Sequence, residues 1–117
     1  MIKRGVRLLI LGDYPAVRAE LRNRLALDDG IQVVGEGTRA EMLSLTAARQ
    51  PDLLLIDLDA DPRQPTRFDS AAAIRQVKQQ SPRTAVFTLS ICDAPDQSLP
   101  DLSSADRFFT KGRDTGQ

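Results

Sequence analysis

Two short aliphatic runs, each stopping at an aspartate, constrain this chain most. Val6-Arg7-Leu8-Leu9-Ile10-Leu11 ends in Gly12-Asp13, and Leu53-Leu54-Leu55-Ile56 ends in Asp57-Leu58-Asp59. Neither alternates apolar with polar residues, so each reads as a strand buried on both faces, the pattern of a parallel sheet. The second run is the most apolar in the chain and reads as the central strand.

The intervening segments supply the crossovers. Pro15 suits a first helical turn, and Val17, Leu21 and Leu25 recur at four-residue spacing as one apolar stripe, predicting a helix to about Leu27. Asp28-Asp29-Gly30 makes a turn, Ile31 to Val34 a second strand, and Gly35-Glu36-Gly37 breaks it. Thr38-Arg39-Ala40-Glu41 has the form of a capping box, opening a helix through Met42 and Leu45 that ends near Gln50-Pro51. After Asp59 comes a polar loop with Pro62 and Pro65; Asp69 or Ser70 then caps a third helix whose inner stripe is Ala73, Ile74 and Val77. Thr84 to Leu89 is a fourth strand. The stretch Asp93 to Ser104, with Pro95 and Pro100, is expected to hold at most a turn or two of helix, and Arg107 to Thr110 is a short fifth strand closed by Lys111. Strands alternating with helices imply right-handed βαβ units, an α/β fold with helices on both faces of a parallel sheet.

Composition narrows the function classes. At 117 residues the chain is the length of one domain, expected to span 1–117 with no output domain. Sixteen Lys and Arg balance sixteen Asp and Glu, which argues against an electrostatic grip on nucleic acid or an anionic membrane. The absence of histidine removes Ser-His-Asp and Cys-His nucleophiles and the usual imidazole metal ligands. Cys92 is the sole cysteine, so no internal disulfide forms. With no apolar run long enough to span a bilayer and a poor match to a signal peptide, a cytoplasmic location is expected.

Ligands of an open α/β sheet sit beyond the carboxyl ends of its strands. Asp13, Asp57, Ser90 and Lys111 stand at those ends. Carboxylates are hard oxygen ligands suited to Mg²⁺, and a hydroxyl and an ammonium group can steady the oxygens of a phosphoryl group carried on Asp57. Taken singly these residues have ordinary readings: Asp57 as a solvated acid ending a buried strand, Phe108 as core. Together they point to one site.

The runs Leu9-Ile10-Leu11-Gly12-Asp13-Tyr14-Pro15, Val33-Val34-Gly35-Glu36, Arg49-Gln50-Pro51-Asp52-Leu53-Leu54-Leu55-Ile56-Asp57-Leu58, Leu89-Ser90 and Ala105-Asp106-Arg107-Phe108-Phe109-Thr110-Lys111 resemble, in order and over most of the chain, the receiver domains of two-component response regulators. The resemblance implies a flavodoxin-like sandwich with a five-stranded sheet in order 2-1-3-4-5. It also implies Asp57 as acceptor of phosphate from a histidine kinase or phosphotransfer protein, Asp13 and Asp57 as Mg²⁺ ligands and the Asp59 backbone carbonyl facing the metal. Lys111 would bridge to the phosphate, and Ser90 with Phe108 would form a switch pair. Such a chain is a signalling module rather than a turnover enzyme, acting on a protein target.

Four departures mark the chain as atypical. Gly12 stands where the family carries a second acid, so Mg²⁺ is expected to bind weakly. The loop after Asp57 lacks the family's Met-Pro-Gly pattern, the fourth helix looks degraded, and a fifth has no room after Lys111. One helix would then cover a face that two normally share, which predicts a homodimer or a partner helix supplied in trans. The alternative class is a pseudo-receiver, an interaction module without phosphotransfer. A third reading is a nucleotide or dinucleotide binder, because Gly35-Glu36-Gly37-Thr38-Arg39-Ala40 satisfies G-x-G-x-x-A and Asp57 follows about 20 residues later.

Overall fold

A computed structural model describes residues 5–59, 68–90 and 105–110. The elements are β1 (Val6–Leu11), α1 (Pro15–Leu25), β2 (Ile31–Gly37), a single 3-10 turn (Arg39–Glu41) running into α2 (Met42–Arg49), β3 (Leu53–Asp57), α3 (Ser70–Gln80), β4 (Ala85–Ser90) and β5 (Arg107–Thr110). The five strands form one sheet in the expected order β2-β1-β3-β4-β5, and every neighbouring pair is parallel. The segment 91–104, with Cys92 and the expected degraded helix, lies outside the described residues, as does Lys111.

Local chemistry explains the boundaries. Pro15 opens α1, where its missing N–H would have had no intrahelical partner. Asp69 caps α3, its Oδ1 accepting the Ala72 N–H at 2.9 Å. The Glu41 carboxylate accepts the backbone N–H of Thr38 at 2.9 Å, one arm of the expected capping box, although the first turn is 3-10 before α2 begins. Gln50 ends α2 in the left-handed region with φ 48. Asp106 sets β5 against β4 by accepting the Val86 N–H at 2.7 Å and pairing with Lys78 at 3.1 Å.

Three expectations need correction. First, β2 does not break at Gly35-Glu36-Gly37 but continues through Gly37, its register against β1 shifting between Leu8 and Leu9. Both glycines are strand residues in close contact with neighbouring side chains. A Cβ on Gly37 would lie 2.5 Å from Leu45 Cδ1, and one on Gly35 would press on Leu9 Cδ1 at 3.3 Å. The two glycines of the G-x-G-x-x-A pattern therefore lie in a strand rather than in a phosphate-cradling turn, and Thr38, Arg39 and Ala40 follow in the cap and 3-10 turn. Second, α1 stops at Leu25, and Leu27 is 85% exposed. Its stripe of Val17, Leu21 and Leu25 is only half-buried.

Third, β3 is not buried equally on its two faces. Leu9, Leu11, Leu54, Ile56 and Val86 pack under Met42 of α2 and Ala73, Ile74 and Val77 of α3 to form the core. On the opposite face Leu8 and Ile10 are covered, whereas Leu53, Leu55, Ala85, Phe87 and Leu89 are half-buried and Phe109 is 44% exposed. The strand interior is apolar on both sides because the sequence is. Burial depends on a covering layer, which among the described residues is complete only on the α2–α3 face.

Candidate functional site

Because all strands run parallel, their carboxyl ends share one rim. Asp13 follows β1, Asp57 ends β3, Asp59 lies just beyond and Ser90 ends β4, so the structure brings these four expected residues to one edge. Asp57 is 1% exposed, pressed beneath Gly12, where an added Cβ would come within 2.9 Å of Asp57 Cβ. Its Oδ1 accepts the Asp59 N–H at 3.0 Å, and the Ser90 hydroxyl donates to Asp59 Oδ1 at 3.0 Å. Phe108 pairs in register with Thr88 on the α3 side of the sheet and is half-buried, while Phe109 stacks edge-on against Phe87 at 5.7 Å on the other side.

Reading the sequence missed Arg39, the first residue of the turn after β2. Its side chain is buried, 6% exposed, and both oxygens of the Asp13 carboxylate are engaged by it. Its backbone N–H donates to Oδ1 at 3.2 Å, and Nε and Nη2 donate to Oδ2 at 3.1 and 2.6 Å. Nη1 reaches Ser70 Oγ at 3.0 Å and the Leu58 carbonyl at 3.4 Å, and the guanidinium lies 5.6 Å from the Phe68 ring centroid. One side chain thus ties the ends of β1, β2 and β3 to the start of α3. A signal was present: β2 ends on the same rim as β1, so a basic residue just after β2 falls beside Asp13.

Burial on its own raises the Asp13 pKa. The hydrogen bonds and charge of Arg39, with a smaller contribution from Arg18, outweigh that and hold the carboxyl below its usual value. Arg18 donates to the Gly12 carbonyl at 2.6 Å and joins Arg22 in binding Glu36 of β2, fixing α1 beside the site. An open cleft of about 410 Å³ lies among Asp13, Pro15, Arg18, Thr38, Arg39 and Phe68.

The resemblance implies Mg²⁺ at this rim, and the donor set can be tested for it. Mg²⁺ requires near-octahedral oxygen ligands, usually including one or two free carboxylates. Here one family acid is Gly12, and Asp13 already accepts three hydrogen bonds from Arg39, so of the expected acids only Asp57 is not held by that guanidinium, and no group of three His, Cys, Asp or Glu converges among the described residues. The set is a poor fit to a divalent cation.

A flavodoxin-like sheet carrying acids and a serine at the carboxyl rim defines a receiver-type domain. Sequence comparison agrees. The chain is 30% identical over 105 residues to the uncharacterized transcriptional regulatory protein YhcZ of Bacillus subtilis (strain 168), covering 89% of this chain and 47% of YhcZ. It is 30% identical over 112 residues to response regulator GacA of Pseudomonas viridiflava, covering 92% and 49%. Among solved structures, the signal receiver domain of NarL from Mycobacterium tuberculosis superposes with TM-score 0.76 at 28% identity, covering 92% of this chain and 84% of that one. The response regulator domain of Thermotoga maritima CheB shares the fold with TM-score 0.75 at 19% identity, over 94% and 81%. No family model matches. The chain belongs to the receiver domains of response regulators, and it spans about half the length of the curated relatives it matches.

Proposed function

We propose that this receiver domain signals as a pseudo-receiver, through protein contact rather than through metal-assisted phosphotransfer. The observation that carries this reading is the setting of Asp57: it is 1% exposed, and the residue beside it is Gly12, where the family has a second acid. Transfer from a phosphohistidine needs in-line approach to a carboxylate oxygen and a cation to neutralise developing charge. Burial opposes the first, and the donor set opposes the second. The proposed protein is not an enzyme, works in the cytoplasm and binds no nucleic acid through this domain. Its contact surface is the half-buried apolar face of β3 to β5, with a second copy of the chain as partner.

A second reading is favoured by the rim itself. Asp57 and Ser90 are joined through Asp59, an arrangement compatible with Asp57 as acceptor from a histidine kinase or phosphotransfer protein. Ser90 and Lys111 would then steady the phosphoryl oxygens, and Ser90 and Phe108 would switch together. Incubation with acetyl phosphate and Mg²⁺, read by intact mass for wild type and Asp57→Asn, separates the two. The pseudo-receiver reading expects no Asp57-dependent gain of a phosphoryl group.

A further inference from the structure

We infer that Arg39 is a resident cation standing in for a divalent metal: its guanidinium neutralises Asp13 permanently and ties together the loops that a bound ion would otherwise join. This deepens, and rests on, the pseudo-receiver reading. The bonds support it in kind and number. Asp13 carries one charge, and Arg39 meets both of its oxygens from backbone and side chain. The same guanidinium takes the Leu58 carbonyl and Ser70 Oγ, so it also reaches the β3–α3 connection. A planar five-donor fork can contact several acceptors at once, which a lysine ammonium cannot do with the same geometry. The Arg39 side chain is itself buried, with the Phe68 ring against its guanidinium, and the charge of arginine persists at any physiological pH. A metal ion would have to expel a buried guanidinium and leave that charge without its carboxylate. The Asp13 carboxylate is thereby kept paired, independent of metal supply.

The experiment is a Mn²⁺ titration of wild type, Arg39→Gln and Arg39→Lys, read by paramagnetic broadening of the backbone amides around Asp13 and Asp57. Wild type is expected to show no saturable broadening. Arg39→Gln, which removes the charge beside the carboxylate, should gain saturable broadening at that rim with affinity at least about tenfold above wild type. Arg39→Lys should remain close to wild type in metal response. Equal Mn²⁺ affinity in wild type and folded Arg39→Gln overturns the assignment. If Arg39→Gln does not fold, the wild-type Arg39 Nε–H resonance decides. It should persist in slow exchange and stay unmoved by saturating Mg²⁺, and a Mg²⁺-dependent shift refutes the stand-in role. Failure of the underlying reading looks different: phosphorylation of wild type on Asp57 would sink the pseudo-receiver proposal whatever Arg39→Gln does. An unlabelled wild type with no metal gain in folded Arg39→Gln sinks only the role of Arg39.

Discussion

Replacing Gly12 by alanine should destabilise the domain, and the structure allows the size of the effect to be worked out. A methyl group at this position would stand 2.9 Å from Asp57 Cβ, closer than real Cβ atoms pack, and Asp57 is buried in the central strand. Two effects compete. Alanine restricts the unfolded chain and would stabilise by about 0.4–1 kcal/mol if the native backbone accepted it without strain. Overpacking against a strand that cannot yield destabilises by about 1–3 kcal/mol. The net expectation is a loss of about 1–2 kcal/mol, or a melting temperature lower by about 5–10 °C for a domain this size. Gly30→Ala is the internal control, because its nearest neighbour is the movable Asp28 Oδ1 at 3.2 Å. Thermal unfolding followed by far-UV circular dichroism should place Gly30→Ala close to wild type and Gly12→Ala well below it. A Gly12→Ala protein as stable as wild type would refute the packing argument and, with it, the claim that Gly12 is fixed by Asp57.

Two further outcomes follow from the same geometry. Asp13 has its pKa lowered from 3.8 in the native state. Its stabilisation is therefore fully present above the unfolded value and is lost as pH falls through the lower native value. Between about pH 5 and about pH 2 the gap in urea midpoint between wild type and Asp13→Asn should narrow with acid, whereas parallel curves would contradict the Asp13–Arg39 pairing. Phe109→Ser should reduce self-association measured by light scattering at high concentration, since Phe109 is the most exposed aromatic ring on the half-buried face. A wild type that stays strictly monomeric contradicts the second-copy partner.

Most of the fold was legible because aliphatic runs and acidic stops are local signals. β1, β3 and β5 fall where continuous apolar or aromatic runs predicted them, and α3 is capped by Asp69, one of the two residues read as its cap. β2 was read short because glycine usually marks a break, while here Gly35 and Gly37 make room for Leu9 and Leu45, neighbours distant in sequence. The stripe of α1 was legible but its depth was not, since depth depends on what else covers the face. At the site, strand-end logic located Asp13, Asp57 and Ser90. It overlooked Arg39, because Thr38-Arg39-Ala40-Glu41 carries a strong local capping signal that assigns its arginine to a solvated helix start. The burial of that side chain arises from Asp13, Leu58, Phe68 and Ser70, which are brought together only by the sheet.

The most direct test of the account is intact mass after incubation with acetyl phosphate and Mg²⁺, under conditions that fully label an ordinary receiver domain. The account predicts wild type and Asp57→Asn each at its own unmodified mass. A phosphoryl adduct on wild type that is absent from Asp57→Asn would contradict it.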